Sequence, residues 1–165
     1  MMAMMPPGAF AFVRDQGGFL LVRDKDRGGK PIEQQKWGLP GGQMCPDETP
    51  EEACAREGRE ETGLELKPLR LIGQFFLVKS SGLVYLCECR VVGGTLLKET
   101  EETSDADFFG LANLPRELMF PAQLKLLLWG LVPTNGRPHN MPLLFPRPEQ
   151  LNGYKVKHLL PGDEQ

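Results

Sequence analysis

Three glutamates placed one turn apart constrain this chain more than any other feature. Glu57, Glu60 and Glu61 lie inside the stretch Gly42 to Leu64. Thr49 is a good N-cap, Pro50 suits the first helical position, and Glu52 follows the cap by three residues, which is a capping box with proline at N1. Gly63 can take the left-handed conformation that closes a helix. The spacing predicts a helix from Pro50 to Thr62. At about 100° per residue, Glu60 and Glu61 fall within about 60° of Glu57, one on either side. Ala55, Gly58 and Thr62 form a different, small side that can lie close against a sheet. Glu51 and Glu52 belong to the first turn, where acids favour the helix dipole.

The charge along this stretch is concentrated. Asp47 to Glu65 contains eight acids and two arginines, a local charge of −6, whereas the whole chain carries −3. Arg56 and Arg59 are too few to neutralise the acids, and a divalent cation is the simplest additional partner. The preceding Trp37-Gly38-Leu39-Pro40-Gly41-Gly42 is a glycine-rich turn that lets the backbone come close to an ion or a phosphate. A carbonyl oxygen at Gly41 could join the helix carboxylates. Hard oxygen donors of this kind select Mg²⁺ or Mn²⁺ over zinc.

With those residues in place, the chain resembles the Nudix hydrolase family. Gly42 is followed after five residues by Glu48 and, seven residues later, by Arg56-Glu57. Glu60-Glu61, Gly63 and Leu64 complete the family's box, and Leu39-Pro40-Gly41-Gly42 leads into it as is typical there. One position departs, since Gly58 occupies an aliphatic slot. Glycine inside a helix costs about 1 kcal/mol relative to alanine, and a buried aliphatic contact is lost. No acid or base is lost, so the departure reads as a local packing change with the helix seated nearer the sheet.

The resemblance implies a fold, a chemistry and roles. The fold would be α+β, a Nudix-type α/β/α sandwich with a mixed β-sheet. Glu57, Glu60 and Glu61 would bind Mg²⁺, with Mn²⁺ as a substitute and the Gly41 carbonyl as a further ligand. Arg56 would orient a catalytic glutamate, and Glu48 would support the loop and helix by hydrogen bonding. An extra metal-binding or basic glutamate is expected in the acidic stretch Glu99 to Asp107, with Glu102 the first choice and Glu101 the next. The activity would be hydrolysis of the diphosphate bond in a nucleoside diphosphate linked to another moiety: a nucleoside triphosphate, ADP-ribose or a nucleotide sugar. The alternative is a non-catalytic Nudix-fold module that binds or senses a nucleotide, although such modules usually lose box glutamates and here all are present. For substrate binding, Arg23 at a strand end could meet a phosphate, and Trp37 could stack on a base or pack against the glycine turn.

The remaining sequence bounds the setting. A length of 165 residues suits one domain, and a net charge of −3 argues against general nucleic-acid binding. No apolar run approaches the ~20 residues of a membrane span. The first residues lack the basic-then-apolar order of a signal peptide. Four cysteines without a metal-binding pattern read as reduced thiols in a cytoplasmic protein, with Cys87 and Cys89 facing the same way on a strand. Ala9 to Val13 and Phe19 to Arg23 read as a hairpin, Trp37 to Leu39 as a short strand, and Leu69 to Val78 with Leu83 to Val92 as an antiparallel pair. Glu99 to Asp107 reads as an acidic loop before a short strand at Phe108-Phe109. A helix is expected from Gln123 to Leu131. Residues 1–132 would form the Nudix domain. Residues 133–165, rich in proline, would form an extension packed on that domain or on the partner in a homodimer, with an edge strand around Tyr154-Lys155-Val156.

Overall fold

The computed structural model describes residues 5–15, 17–25, 36–77, 82–115, 123, 126, 127, 130, 131 and 156–159. Its elements in chain order are β1 (Gly8–Asp15), β2 (Gly18–Asp24), β3 (Trp37–Gly38), β4 (Gly41–Gln43), α1 (Pro50–Thr62), β5 (Leu64–Leu77), β6 (Gly82–Gly94), β7 (Thr103–Phe109) and β8 (Val156–Leu159). A short 3₁₀ turn spans Leu111–Asn113. Residues 123, 126, 127 and 130, all within the expected second helix, are helical.

The sheet runs β3-β2-β1-β6-β5-β8, with β4 also on β1 and β7 also on β2. It is mixed: β1 and β6 pair in parallel from Gly8↔Val84 to Val13↔Cys89, and the other ladders are antiparallel. The α+β class with a mixed sheet is therefore as expected. Alternation along β1 builds two layers on the sheet. Ala9, Ala11 and Val13 pack with Ala53 and Cys54 of α1, whereas Phe12 packs with Leu126 and Leu127 in a second cluster.

Three boundaries differ from the sequence reading. Gly41–Gln43 is a strand, held by β1 through Phe10↔Gly41 and Gly8↔Gln43. β5 starts at Leu64, directly after the helix, because Leu64 and Leu66 are buried in the core beneath α1. The acidic loop is shorter than expected, since Thr103 to Asp107 already belongs to β7 and pairs with β2. The register shifts between Arg23 and Asp24, which face Asp105 and Thr103, so Ser104 is the extra residue of a β-bulge. Ser104 Oγ donates to the Arg23 carbonyl at 3.0 Å. Of the expected tail strand, Val156 opens β8, which pairs antiparallel with β5 through Leu77↔Val156 and Gln74↔Leu159. Tyr154, Lys155 and residues 132–153 lie outside the described residues, as do 78–81 and 26–35.

All four cysteines are free, with Cys54, Cys87 and Cys89 buried and Cys45 exposed. Hydrogen bonding from Cys87 and Cys89, followed by burial, pushes the Cys54 thiol far above its ordinary range. A thiol so placed is unreactive, since the thiolate is the nucleophile. In the native protein one cysteine, Cys45, is expected to react with Ellman's reagent within minutes, the other three only after denaturation. Two fast thiols in the native state would contradict the packing of α1 on β6.

Candidate active site

The sequence builds α1 as a rigid platform. The Thr49 hydroxyl accepts from the Glu52 N–H at 3.2 Å, and the Glu52 carboxylate accepts from the Thr49 N–H at 2.9 Å. Gly63, at φ 73°, closes the helix with its N–H donating to the Arg59 carbonyl. Ala53, Cys54, Gly58 and Thr62 are buried on the sheet side. A methyl at Gly58 would stand 2.2 Å from Leu66 Cδ1. Leu66 of β5 thus fills the room an aliphatic side chain would need at Gly58, and the helix does sit close to its sheet.

The opposite side presents the acids. Glu57 and Glu61 are buried, at 7% and 4% exposure, whereas Glu60 is exposed. Glu102 arrives from just before β7, and carboxylate oxygens of Glu57, Glu60 and Glu102 all lie within 4.8 Å of one another. Glu61 turns toward the glycine turn, its Oε2 accepting from the Gly41 N–H at 2.9 Å. Gly41 itself has φ 156°, and a methyl there would stand 2.3 Å from the Ala9 carbonyl oxygen. At Gly42 a methyl would meet Glu57 Oε1 at 2.7 Å. The two glycines therefore do different work: one lets the backbone pass β1, the other leaves room for a carboxylate.

Arg56 ties loop to helix. Its Nε and one terminal nitrogen donate to both oxygens of Glu48, at 2.7 and 3.0 Å. The guanidinium also donates to the Gln43 carbonyl, to Glu57 Oε1 and to Glu60 Oε2, at 3.0 to 3.1 Å. Such forked, charge-assisted bonds fix direction as well as distance. The Glu48 carboxyl is held below its usual range by Arg56, and it also accepts from the Cys45 N–H at 2.8 Å.

A cleft of about 390 Å³ is lined by Asp24, Lys25, Gly41, Gly42, Gln43, Glu57, Glu61 and Glu102, whereas Arg56, Glu48 and Glu60 stand outside that lining. Asp24 and Lys25, at the end of β2, were not found from sequence. They carry no motif, and the sequence marks only their neighbour Arg23 at the strand end. Glu101, the second choice in the acidic stretch, is exposed and lies outside that lining.

Neither residue expected at the substrate lines the cleft. Trp37 is buried in the core, with its ring edge-on to Phe109 at 4.7 Å and the Arg23 guanidinium 5.2 Å from its centroid. Arg23 also donates to Ser104 Oγ and pairs with Asp105 at 3.5 Å. Both side chains are engaged in packing the β2–β3–β7 corner, because Trp37 gains more by burying its large ring than by facing solvent.

Burial of two of these acids has an electrostatic signature. Burial pushes the Glu61 carboxyl up to about 9, aided by the charges of Asp24, Glu57 and Glu102 and opposed by the Gly41 hydrogen bond. Burial likewise raises Glu57, with Arg56 opposing and Glu60 and Glu102 adding to the rise. A site of oxygen donors, three of whose carboxylates converge within 4.8 Å, fits a hard divalent cation.

A stability effect follows. Between the ordinary carboxylate value of 4.5 and about 9, folded Glu61 keeps a proton that the unfolded chain has released. That contribution to stability is full below about 4.5 and is lost as pH rises through about 9. In EDTA, Tm is expected to fall by about 5 °C or more between pH 6 and pH 9, and by less in Glu61→Gln. Excess Mg²⁺ should raise Tm more at pH 9 than at pH 6. A Tm in EDTA that is flat or rises over this range would refute the assignment.

Residues 4–130 match the NUDIX domain, and the chain belongs to that family of hydrolases. A MutT-like protein of Streptomyces ambofaciens is 34% identical over 92 residues, 56% of this chain and 55% of that protein. A Bacillus subtilis (strain 168) protein, provisionally named an 8-oxo-dGTP diphosphatase, is 33% identical over 113 residues, 68% of this chain and 71% of its own length. The ADP-ribose pyrophosphatase of Methanocaldococcus jannaschii is 38% identical over 84 residues, 47% of this chain and 48% of that enzyme. The chain thus spans about half the length of the first and third of these relatives. A solved NUDIX hydrolase from Nitrosomonas europaea shares the fold with a TM-score of 0.63 at 20% identity, covering 82% of this chain and 97% of that one.

Proposed function

We propose that this protein is a Mg²⁺-dependent pyrophosphohydrolase that cleaves the diphosphate bond of a nucleoside diphosphate linked to another moiety. The observation that carries the reading is the meeting of Glu57 and Glu60, on one helix, with Glu102, from a distant strand end, within 4.8 Å. Acids so far apart in sequence converge at a cost in repulsion, which is reasonable where a cation offsets it. Glu57, Glu60, Glu61 and Glu102, with the Gly41 carbonyl, are the proposed holders of Mg²⁺ or Mn²⁺. When bound, such an ion screens phosphate charge and lowers the pKa of a water molecule.

The chain's own residues do the rest. Arg56 holds Glu57 and Glu60 in direction through its hydrogen bonds. The Gly41 N–H fixes the Glu61 carboxylate against the turn. With an ion bound, a carboxylate of this group would be placed to take a proton from the attacking water. Glu48 braces the arrangement from the loop side through Arg56.

A small nucleotide substrate and a cytoplasmic setting go with this proposal, the latter in keeping with four free thiols. Among the described residues, no helix is long and apolar enough to cross a membrane. The test is a panel of dGTP, 8-oxo-dGTP, ADP-ribose and nucleotide sugars with Mg²⁺ or Mn²⁺, reading nucleoside monophosphate, phosphate and pyrophosphate separately. Monophosphate release that needs the metal is expected. Tight binding across the panel without turnover would favour a nucleotide sensor instead.

A further inference from the structure

The cleft is lined by four carboxylates, Asp24, Glu57, Glu61 and Glu102, yet a polyphosphate must enter it. Among its described lining residues there is one cation, Lys25. The main chain of Lys25 is fixed, since its N–H donates to the Glu102 carbonyl at 2.8 Å, next to the β-bulge that joins the ends of β2 and β7. The side chain is held differently. Its Nζ lies 2.8 Å from Glu99 Oε1, and Glu99 is 70% exposed and outside the cleft lining. An exposed lysine–glutamate pair holds its partners only weakly. A lysine side chain is a flexible stem carrying a compact charge with three donors, and it can exchange one anionic oxygen for another. A phosphoryl group in the cleft offers more negative charge and more acceptor oxygens than the Glu99 carboxylate.

We propose that Lys25 is a substrate-binding residue, whose ammonium leaves Glu99 to donate to a phosphoryl oxygen of the bound polyphosphate. Glu99 holds the same ammonium while the cleft is empty and so competes with the substrate for it. This deepens the pyrophosphohydrolase reading and rests on it. Lys25 supplies a permanent positive charge at the β2 end of the cleft, independent of any ion.

The test uses the full chain with Mg²⁺ and two non-hydrolysable probes, the α,β-methylene analogues of dGTP and of ADP-ribose, whichever binds more tightly. Lys25→Met is expected to raise the calorimetric Kd about tenfold, the loss of one hydrogen bond to a charged group. Lys25→Arg should restore most of the affinity. Glu99→Gln should tighten binding about threefold, and that gain should vanish in the Lys25→Met background. A general field effect of removing an acid would persist in both backgrounds, so an equal gain overturns the exchange with Glu99. An unchanged Kd in Lys25→Met overturns the assignment of Lys25. If wild type fails to bind either probe and turns over nothing on the panel, the pyrophosphohydrolase reading itself fails, and the proposal falls with it.

Discussion

Glu61→Gln is expected to lower kcat by about 10²- to 10⁴-fold at saturating Mg²⁺ while leaving the fold intact, the range seen for loss of a positioned acid–base group. The amide is nearly the size of the carboxylate, and its oxygen can still accept from the Gly41 N–H, now made by Glu61 Oε2 at 2.9 Å. What is removed is a titratable group whose burial pushes its pKa up to about 9. The metal-free variant should therefore be as stable as wild type at pH 8, or more so, and its Mn²⁺ affinity should drop. That combination separates a chemical role from a structural one. A kcat within threefold of wild type, with unchanged Mn²⁺ affinity, would remove Glu61 from the site.

Gly41→Ala should produce a loss of comparable size by another route. The residue sits at φ 156°, and its methyl would stand 2.3 Å from the Ala9 carbonyl oxygen and 2.7 Å from Phe10 Cα. Both obstacles are backbone, so no side-chain rotation relieves them. The β1–β4 ladder and the Ala11 N–H bond to the Pro40 carbonyl, 2.8 Å, must shift. A destabilisation of about 3 kcal/mol or more is expected, read as a drop in the urea midpoint at unchanged m-value. Gly42→Ala is the informative contrast. Its methyl would meet the Glu57 carboxylate at 2.7 Å and no backbone among its three nearest neighbours. It should lose activity with a much smaller change in midpoint. Equal midpoints for Gly41→Ala and wild type would show that the turn is not built as described.

Local chemistry explains which parts were legible in the sequence. The helix ends were readable because Thr49, Glu52 and Gly63 act on backbone groups next to them, and the structure returns Pro50–Thr62. Glu57, Glu60 and Glu102 were candidates on spacing and resemblance, and their oxygens do converge. The strand at Thr103 was hidden by its bulge. Thr103 and Ala106 are both buried although three residues apart, which breaks the period-two pattern that marks a strand. Gly41–Gln43 lacks strand-forming side chains, and its pairing with β1 is a tertiary effect. Gly58 became intelligible only with Leu66 in place, since nothing near it in sequence says what fills its room. Asp24 and Lys25 enter the cleft through the pairing of β2 with β7, a contact some 80 residues apart in the chain. Trp37 and Arg23 show the converse: residue types suited to a ligand that the β2–β3–β7 corner uses for packing.

The caps of α1 have a kinetic consequence. Both ends of the helix are closed by the chain itself, and Arg56 already joins the Gln43 carbonyl and Glu48 to Glu57 and Glu60. The frame of the helix is thus held by its own hydrogen bonds. Loading and release should therefore leave α1 itself unchanged, and their rates should follow how fast each ion exchanges its own water. Mg²⁺, which dehydrates reluctantly, would then be the slower to enter, and the tempo of the site would be a property of the ion rather than of the protein.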